Sequence, residues 1–180
     1  LFLEKYWDEM KMSDVIIKKL NSTILITLNR EKVLNALNLN MVREIFKHID
    51  EWNNNENVSG VIIKGAGEKS FCAGGDIVSV YHSKNEAKNN LSDNFFREEY
   101  LLNYAISEFS KPWISILNGI AMGGGLGLSV HGSHRIVNDK TITAMPETAI
   151  GLFPDVGGGY FLSRMKSIGL YLALTGKVMN

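Results

Sequence analysis

The 22 residues of segment 112–133 contain no aspartate, glutamate, lysine or arginine, and they carry six glycines. A stretch so poor in charge must be buried, and its length would suffice to cross a bilayer. Glycine at this density, with Asn118 inside the segment and His131 near its end, argues against a stable spanning helix. A buried strand–turn–helix fits better. The residues predict an apolar strand over 113–117, a turn opening at Asn118 and Gly119, and a helix that begins within the Gly123, Gly124, Gly125 run and continues through Val130.

The remainder alternates in the same way. Residues 15–19 and 24–28 are β-branched runs joined at Asn21 and Ser22, which reads as a strand pair with a tight connection. Residues 40–52 place Met41, Ile45, Ile49 and Trp52 at helical spacing, with Glu44 and Lys47 on the opposite face. A polar loop is expected at 53–57 and a short buried strand at 61–63. The polar segment 83–94 is expected to be mobile. A helix over 95–109 stops at Lys111 and Pro112, and strands follow at 134–137 and 141–144. The tail, 160–174, predicts two short helices broken near Ser167 and Gly169. Strand–helix alternation without repeat or linker implies one layered α/β domain, and 180 residues can bury a sizeable core.

Composition excludes some functions. Lys+Arg 19 against Asp+Glu 19 leaves zero net charge, so nothing favours a nucleic-acid or membrane-surface partner. A single cysteine, Cys72, rules out an internal disulfide framework and suits a reducing compartment. His131 and His134 stand three apart without further His or Cys ligands, so no metal site is expected.

Against this background two acids stand out. Glu147 and Asp155 are the charged residues of an otherwise uncharged run, 141–162. Burying a carboxylate is costly unless it is hydrogen-bonded or neutralised, so acids in such surroundings need a partner or a task. Two glycine turns precede them, Ser70-Phe71-Cys72-Ala73-Gly74-Gly75-Asp76 and Met122-Gly123-Gly124-Gly125. Glycine lets a ligand approach the backbone closely, and N–H groups at a helix start favour a developing oxyanion. The runs match neither a P-loop nor G-x-G-x-x-G, since Leu128 occupies the third glycine position. No G-x-S-x-G elbow supplies a serine nucleophile. By residue type alone, Asp76 reads as a helix cap and Cys72 as a small packed side chain.

Phe71-Cys72-Ala73-Gly74-Gly75-Asp76, the glycines at 123–125 and Pro146-Glu147 resemble, in order and spacing, the crotonase (enoyl-CoA hydratase/isomerase) superfamily. Phe95-Phe96-Arg97-Glu98-Glu99-Tyr100, the stretch 124–132 and above all the long motif 145–162 are similar to its hydroxyisobutyryl-CoA-type hydrolases. The resemblance runs from about Val15 to Gly176. It implies a crotonase-like ββα spiral core and an acyl-CoA substrate, with CoA as part of the substrate and no other cofactor. It also implies an oxyanion hole from the backbone N–H groups of Ala73 and Gly124, and catalytic roles for Glu147 and Asp155. Glu99, Gly74, Gly75 and Asp76 become substrate-binding residues, and the compartment becomes the mitochondrion. Hydratases of this superfamily carry a second glutamate where this chain has Gly127, which favours thioester hydrolysis over water addition. An enoyl-CoA isomerase and a non-catalytic acyl-CoA binder are the competing expectations.

Proteins of that type continue beyond the position of Asn180. The resemblance therefore implies that residues 1–180 are the N-terminal core, with the family's C-terminal helical region absent. Weak activity and self-association through apolar surface on the terminal helices are the corresponding expectations. The lysines Lys32, Lys64, Lys69 and Lys111 are scattered, and none stands out as a ligand for the CoA phosphates.

Overall fold

The structure, a computed structural model, describes residues 13–83 and 90–180. Strands β1 (Val15–Leu20) and β2 (Thr23–Leu28) form an antiparallel hairpin in which Val15 faces Leu28 and Leu20 faces Thr23. Asn21 takes the left-handed conformation at the tight connection, φ 55°. Along β2, Ile24, Ile26 and Leu28 point into the core, as the period of two requires. Helix α1 (Leu39–Asn54) starts where the Asn38 side chain accepts the Met41 N–H at 2.9 Å. It buries Met41, Ile45, Ile49 and Trp52, the stripe that the sequence predicts, together with Leu39 and Val42. Glu44 and Lys47 pair on its outer face at 2.6 Å. The helix extends to Asn54, so the polar run begins as its last turn.

From here the chain winds as a spiral. Strands β3 (Gly60–Gly65), β5 (Trp113–Leu117) and β7 (His134–Val137) extend the hairpin into a five-stranded sheet, β1-β2-β3-β5-β7, parallel from β2 onward. Strands β4 (Ser70–Cys72), β6 (Ile120–Met122) and β8 (Ile142–Ala144) form a second sheet, parallel throughout. Each pass of the chain thus adds one strand to each sheet before a helical segment. After β4 come α2 (Ile77–Ser83) and α3 (Leu91–Ser107), after β6 comes α4 (Gly124–Val130). After β8 come a 3-10 turn (Pro146–Ile150), α5 (Gly158–Ser163) and α6 (Lys166–Thr175). This is the expected ββα spiral. Segment 112–133 forms β5, β6, α4 and the residues flanking them, and among the described residues no helix is long and apolar enough to cross a membrane.

The differences from expectation have physical causes. Strands β4 and β6 fall in segments read as turns, because three residues are too few to display alternation. Of the polar segment 83–94, residues 84–89 lie outside the described residues, and α3 begins at Leu91, four residues ahead of the expected start. The break between the terminal helices falls at Arg164 and Met165, ahead of Gly169. Gly169 is buried inside α6, where a Cβ would collide with the Leu162 carbonyl of α5. That glycine lets two helices approach each other instead of separating them.

One buried asparagine ties the layers together. Asn35 Nδ2 donates to the carbonyls of Ser70 (2.8 Å) and Ala66 (3.0 Å), while its Oδ1 accepts the Arg30 N–H at 3.0 Å. It therefore fastens β4 and the loop after β3 to the segment preceding α1. Asn35→Ala leaves these buried groups without partners and should lower unfolding free energy by about 2–4 kcal/mol, read from urea denaturation. A loss below about 1 kcal/mol would show that this node does not hold the layers.

Candidate active site

Because β4, β6 and β8 are parallel, their carboxyl ends share one edge, and the segments leaving them converge. Ala73, Gly74 and Gly75 follow β4, Gly123 and Gly124 follow β6, and Pro146 and Glu147 follow β8 closely. Together they line a cleft of about 200 Å³, which Ile77, Phe95, Phe96, Ala149, Ile150 and Leu152 make largely apolar. Glu99 from α3 and Asp155 from the turn before α5 complete the wall.

Glu147 reaches this cleft because the chain turns sharply at Pro146, the first residue of the 3-10 turn. Its Oε1 lies against Gly123, which has φ 48° and whose added Cβ would stand 2.6 Å from that oxygen. Only glycine meets both conditions. Gly124 is the first residue of α4, so its N–H has no partner within the helix. The Gly75 nitrogen lies 3.3 Å from the position a Cβ on Gly124 would occupy. The backbones of Gly75 and Gly124 therefore lie side by side at the cleft.

One expected residue is displaced here. The Ala73 N–H donates to the Leu34 carbonyl at 3.0 Å, so it is already engaged and cannot serve a ligand. The Gly75 and Gly124 N–H groups, by contrast, donate to no backbone carbonyl outside their own elements among the described residues. The shift of two residues follows from the turn: Gly74, at φ 114°, reverses the chain between Ala73 and Gly75. Asp76 also departs from the substrate-site role. Its Oδ1 accepts the Ser79 N–H at 3.1 Å as the cap of α2, and its Oδ2 pairs with Arg30 at 2.9 Å. These contacts hold its pKa below the usual carboxylate range despite partial burial. Cys72 is fully buried, and burial pushes its thiol up to about 12, which makes it a packed side chain and not a thiolate.

The three acids share the cleft. Glu99 is 1% exposed, and its Oε1 lies against Gly124 with no hydrogen-bond partner. Burial, with repulsion from Asp155 and Glu147, raises its pKa to about 8. Glu147 is buried with Oε2 unpartnered, and burial with repulsion from Asp155 raises it to about 7. Asp155 is raised by burial, an effect opposed by a hydrogen bond. The donor of that bond is the Tyr100 hydroxyl, 2.9 Å from Asp155 Oδ2. Tyr100 is the site residue that the residue-type reading passes over. Its signals in the chain are its place beside Glu99 and in the 95–100 motif, since the partner is 55 residues away. Gly127, on the next turn of α4, is closed to any side chain. A Cβ there would stand 2.7 Å from Val156 Cβ and 3.0 Å from Asn103 Nδ2.

A ββα spiral with paired backbone donors and a carboxyl group over one apolar cleft is the architecture of crotonase-type enzymes. This chain belongs to the enoyl-CoA hydratase/isomerase family, whose model matches residues 23–180. It is similar to mitochondrial 3-hydroxyisobutyryl-CoA hydrolases, 56% identical over 165 residues to that of Danio rerio and 53% over 164 residues to that of Homo sapiens. Both matches cover 91% of this chain but only 43% and 42% of the relatives, so the chain spans less than half their length. Among solved structures it is similar to a carnitinyl-CoA dehydratase from Mycobacterium thermoresistibile, with TM-score 0.89 and 44% identity over 93% of this chain and 49% of that one. An enoyl-CoA hydratase from Rhodobacter sphaeroides matches with TM-score 0.89 and 43% identity, covering 93% of this chain and 50% of that one.

The Glu99 environment has a consequence for stability. A carboxyl whose pKa rises on folding favours the folded state while protonated, and that contribution is lost as pH climbs from 4.5 towards about 8. Glu99→Gln removes the ionisation. Urea unfolding at about pH 5.5 and about pH 8.5 should show the variant losing less stability than the parent over this interval. Equal losses would mean that Glu99 is not held neutral.

Proposed function

We infer that this chain carries the catalytic core of an acyl-CoA thioester hydrolase, with 3-hydroxyisobutyryl-CoA as substrate, releasing 3-hydroxyisobutyrate and CoA. The observation that carries the reading is the closed position at Gly127. Water addition in the family uses a second glutamate there, and Val156 with Asn103 leaves no room for it. Glu147 remains, with Asp155 beside it, over a pair of free N–H groups. The names of the relatives support the same activity.

In this mechanism the thioester oxygen lies between the Gly75 and Gly124 N–H groups, which stabilise the negative charge that develops as the carbonyl is attacked. Glu147, raised to about 7, exists as carboxylate in an appreciable fraction at neutral pH and can receive a proton or attack carbon. In the first route it takes a proton from water as the water oxygen bonds to the carbonyl carbon. In the second it forms an anhydride that water then opens. In both, the carbon–sulfur bond breaks and CoA leaves as the thiolate, which is then protonated. Asp155 orients the water or the substrate hydroxyl, and Glu99 contacts the acyl group. After a single turnover in ¹⁸O-water, label in Glu147 marks the anhydride route with water opening it at the Glu147 carbonyl.

Glu147→Gln should lower thiol release from 3-hydroxyisobutyryl-CoA at least about a hundredfold, with enoyl-CoA substrates giving no comparable turnover. Enoyl-CoA isomerisation without thiol release would replace the hydrolase reading. Unchanged cellular function in Glu147→Gln and Asp155→Asn would leave a binder. The compartment named for the relatives supports a mitochondrial location. The exposed Ile168, Leu170, Tyr171 and Leu174 of α6 favour self-association, which sedimentation would measure.

A further inference from the structure

We propose that Tyr100 is a positioning residue of this site: its hydroxyl pins the Asp155 carboxylate and makes it the member of the three-carboxyl cluster that stays ionised. The proposal rests on the hydrolase reading only for its catalytic consequence. The geometry is asymmetric. A buried carboxylate is held in its charged form by donors, and among the described residues Asp155 has a side-chain donor in Tyr100 at 2.9 Å. Glu99 Oε1 and Glu147 Oε2 are buried with none. Three carboxyl groups in one cleft oppose one another's ionisation, so Asp155, the one with a side-chain donor, ionises ahead of Glu147, whose donor is its own backbone N–H, and of Glu99.

The neighbours leave this role to Tyr100. Glu99 and Tyr100 come from α3, and Glu147 comes from the 3-10 turn. His131, at the end of α4, holds the adjacent Val156 carbonyl with Nε2 at 2.7 Å. On α5, the Arg164 guanidinium lies 3.5 Å over the Tyr160 ring and donates to the Tyr160 carbonyl, so its charge is turned away. Tyr100 itself is 38% exposed. Its ring lines a second cavity of about 630 Å³ behind the cleft, shared with Asn103, His131 and Glu108. Water is within its reach, and its hydroxyl nevertheless faces Asp155. In hydrolysis this arrangement fixes Asp155 as the acceptor that orients water or substrate, and its charge raises the proton affinity of Glu147.

The test is a ¹³C carboxyl titration of the 180-residue chain, with Asp155 assigned through Asp155→Asn. In Tyr100→Phe, which keeps the ring and removes the hydroxyl, the Asp155 midpoint should rise by about one pH unit, tenfold in proton affinity. The acidic limb of the kcat/KM profile should move to higher pH with it, while KM changes little. A midpoint within about 0.2 unit of the parent overturns the proposal. If Tyr100→Phe does not fold, 3-fluorotyrosine at position 100 provides a stronger donor of nearly the same shape. It should lower the Asp155 midpoint, and no movement overturns the proposal equally. The titration needs no turnover, so a parent protein that releases no thiol would sink the hydrolase reading and leave this result standing.

Discussion

The parallel alignment of β4, β6 and β8 is the constraint on which the site depends. Three strands of three residues each bury little surface and would not persist alone. They are held because short connections, 66–69, 118–119 and 138–141, tie each to a strand of the larger sheet, and because Asn35 fastens the first of them. Once they run parallel, their carboxyl ends coincide. Two glycine turns and a proline-started turn are then brought to one place although they are some fifty and twenty residues apart. The cleft is therefore a product of the spiral itself.

Within that cleft the chemistry is governed by the scarcity of donors for negative charge. Burial raises Glu99, Glu147 and Asp155 together, and each charge opposes the next. The backbone N–H groups of Gly75 and Gly124 are left for a ligand, and the side chain of Tyr100 is committed to Asp155. Closing position 127 with Val156 and Asn103 removes the space in which a further acid could work.

Much of this was legible in the residues. The β-branched runs at β1, β2 and β3 and the stripe of α1 declare themselves, because a half-buried strand and an amphipathic helix impose their periods locally. Glu147 and Asp155 were legible as acids without charged company in an apolar run, and Gly123 and Gly124 as glycines at a helix start. The short strands β4 and β6 were not, since three residues carry no period. Gly169 misled for a related reason: a glycine that permits close helix packing has the same letter as one that ends a helix. Ala73, the donor that the resemblance implies, is already engaged, because hydrogen-bond occupancy is not carried by a motif. Its N–H is taken by the Leu34 carbonyl, a partner 39 positions earlier.

By itself the sequence determined the layered α/β class, the family resemblance, the acids and the glycines that can stand beside a ligand. These follow from local rules: side-chain period, the cost of a buried charge, and the steric freedom of glycine. Only the tertiary structure decided which N–H groups remain free, that Arg30 pairs with Asp76, and that Tyr100 reaches Asp155. Those outcomes depend on distances of a few ångströms between residues far apart in the chain. Such distances are set by packing the whole spiral and by no segment of it.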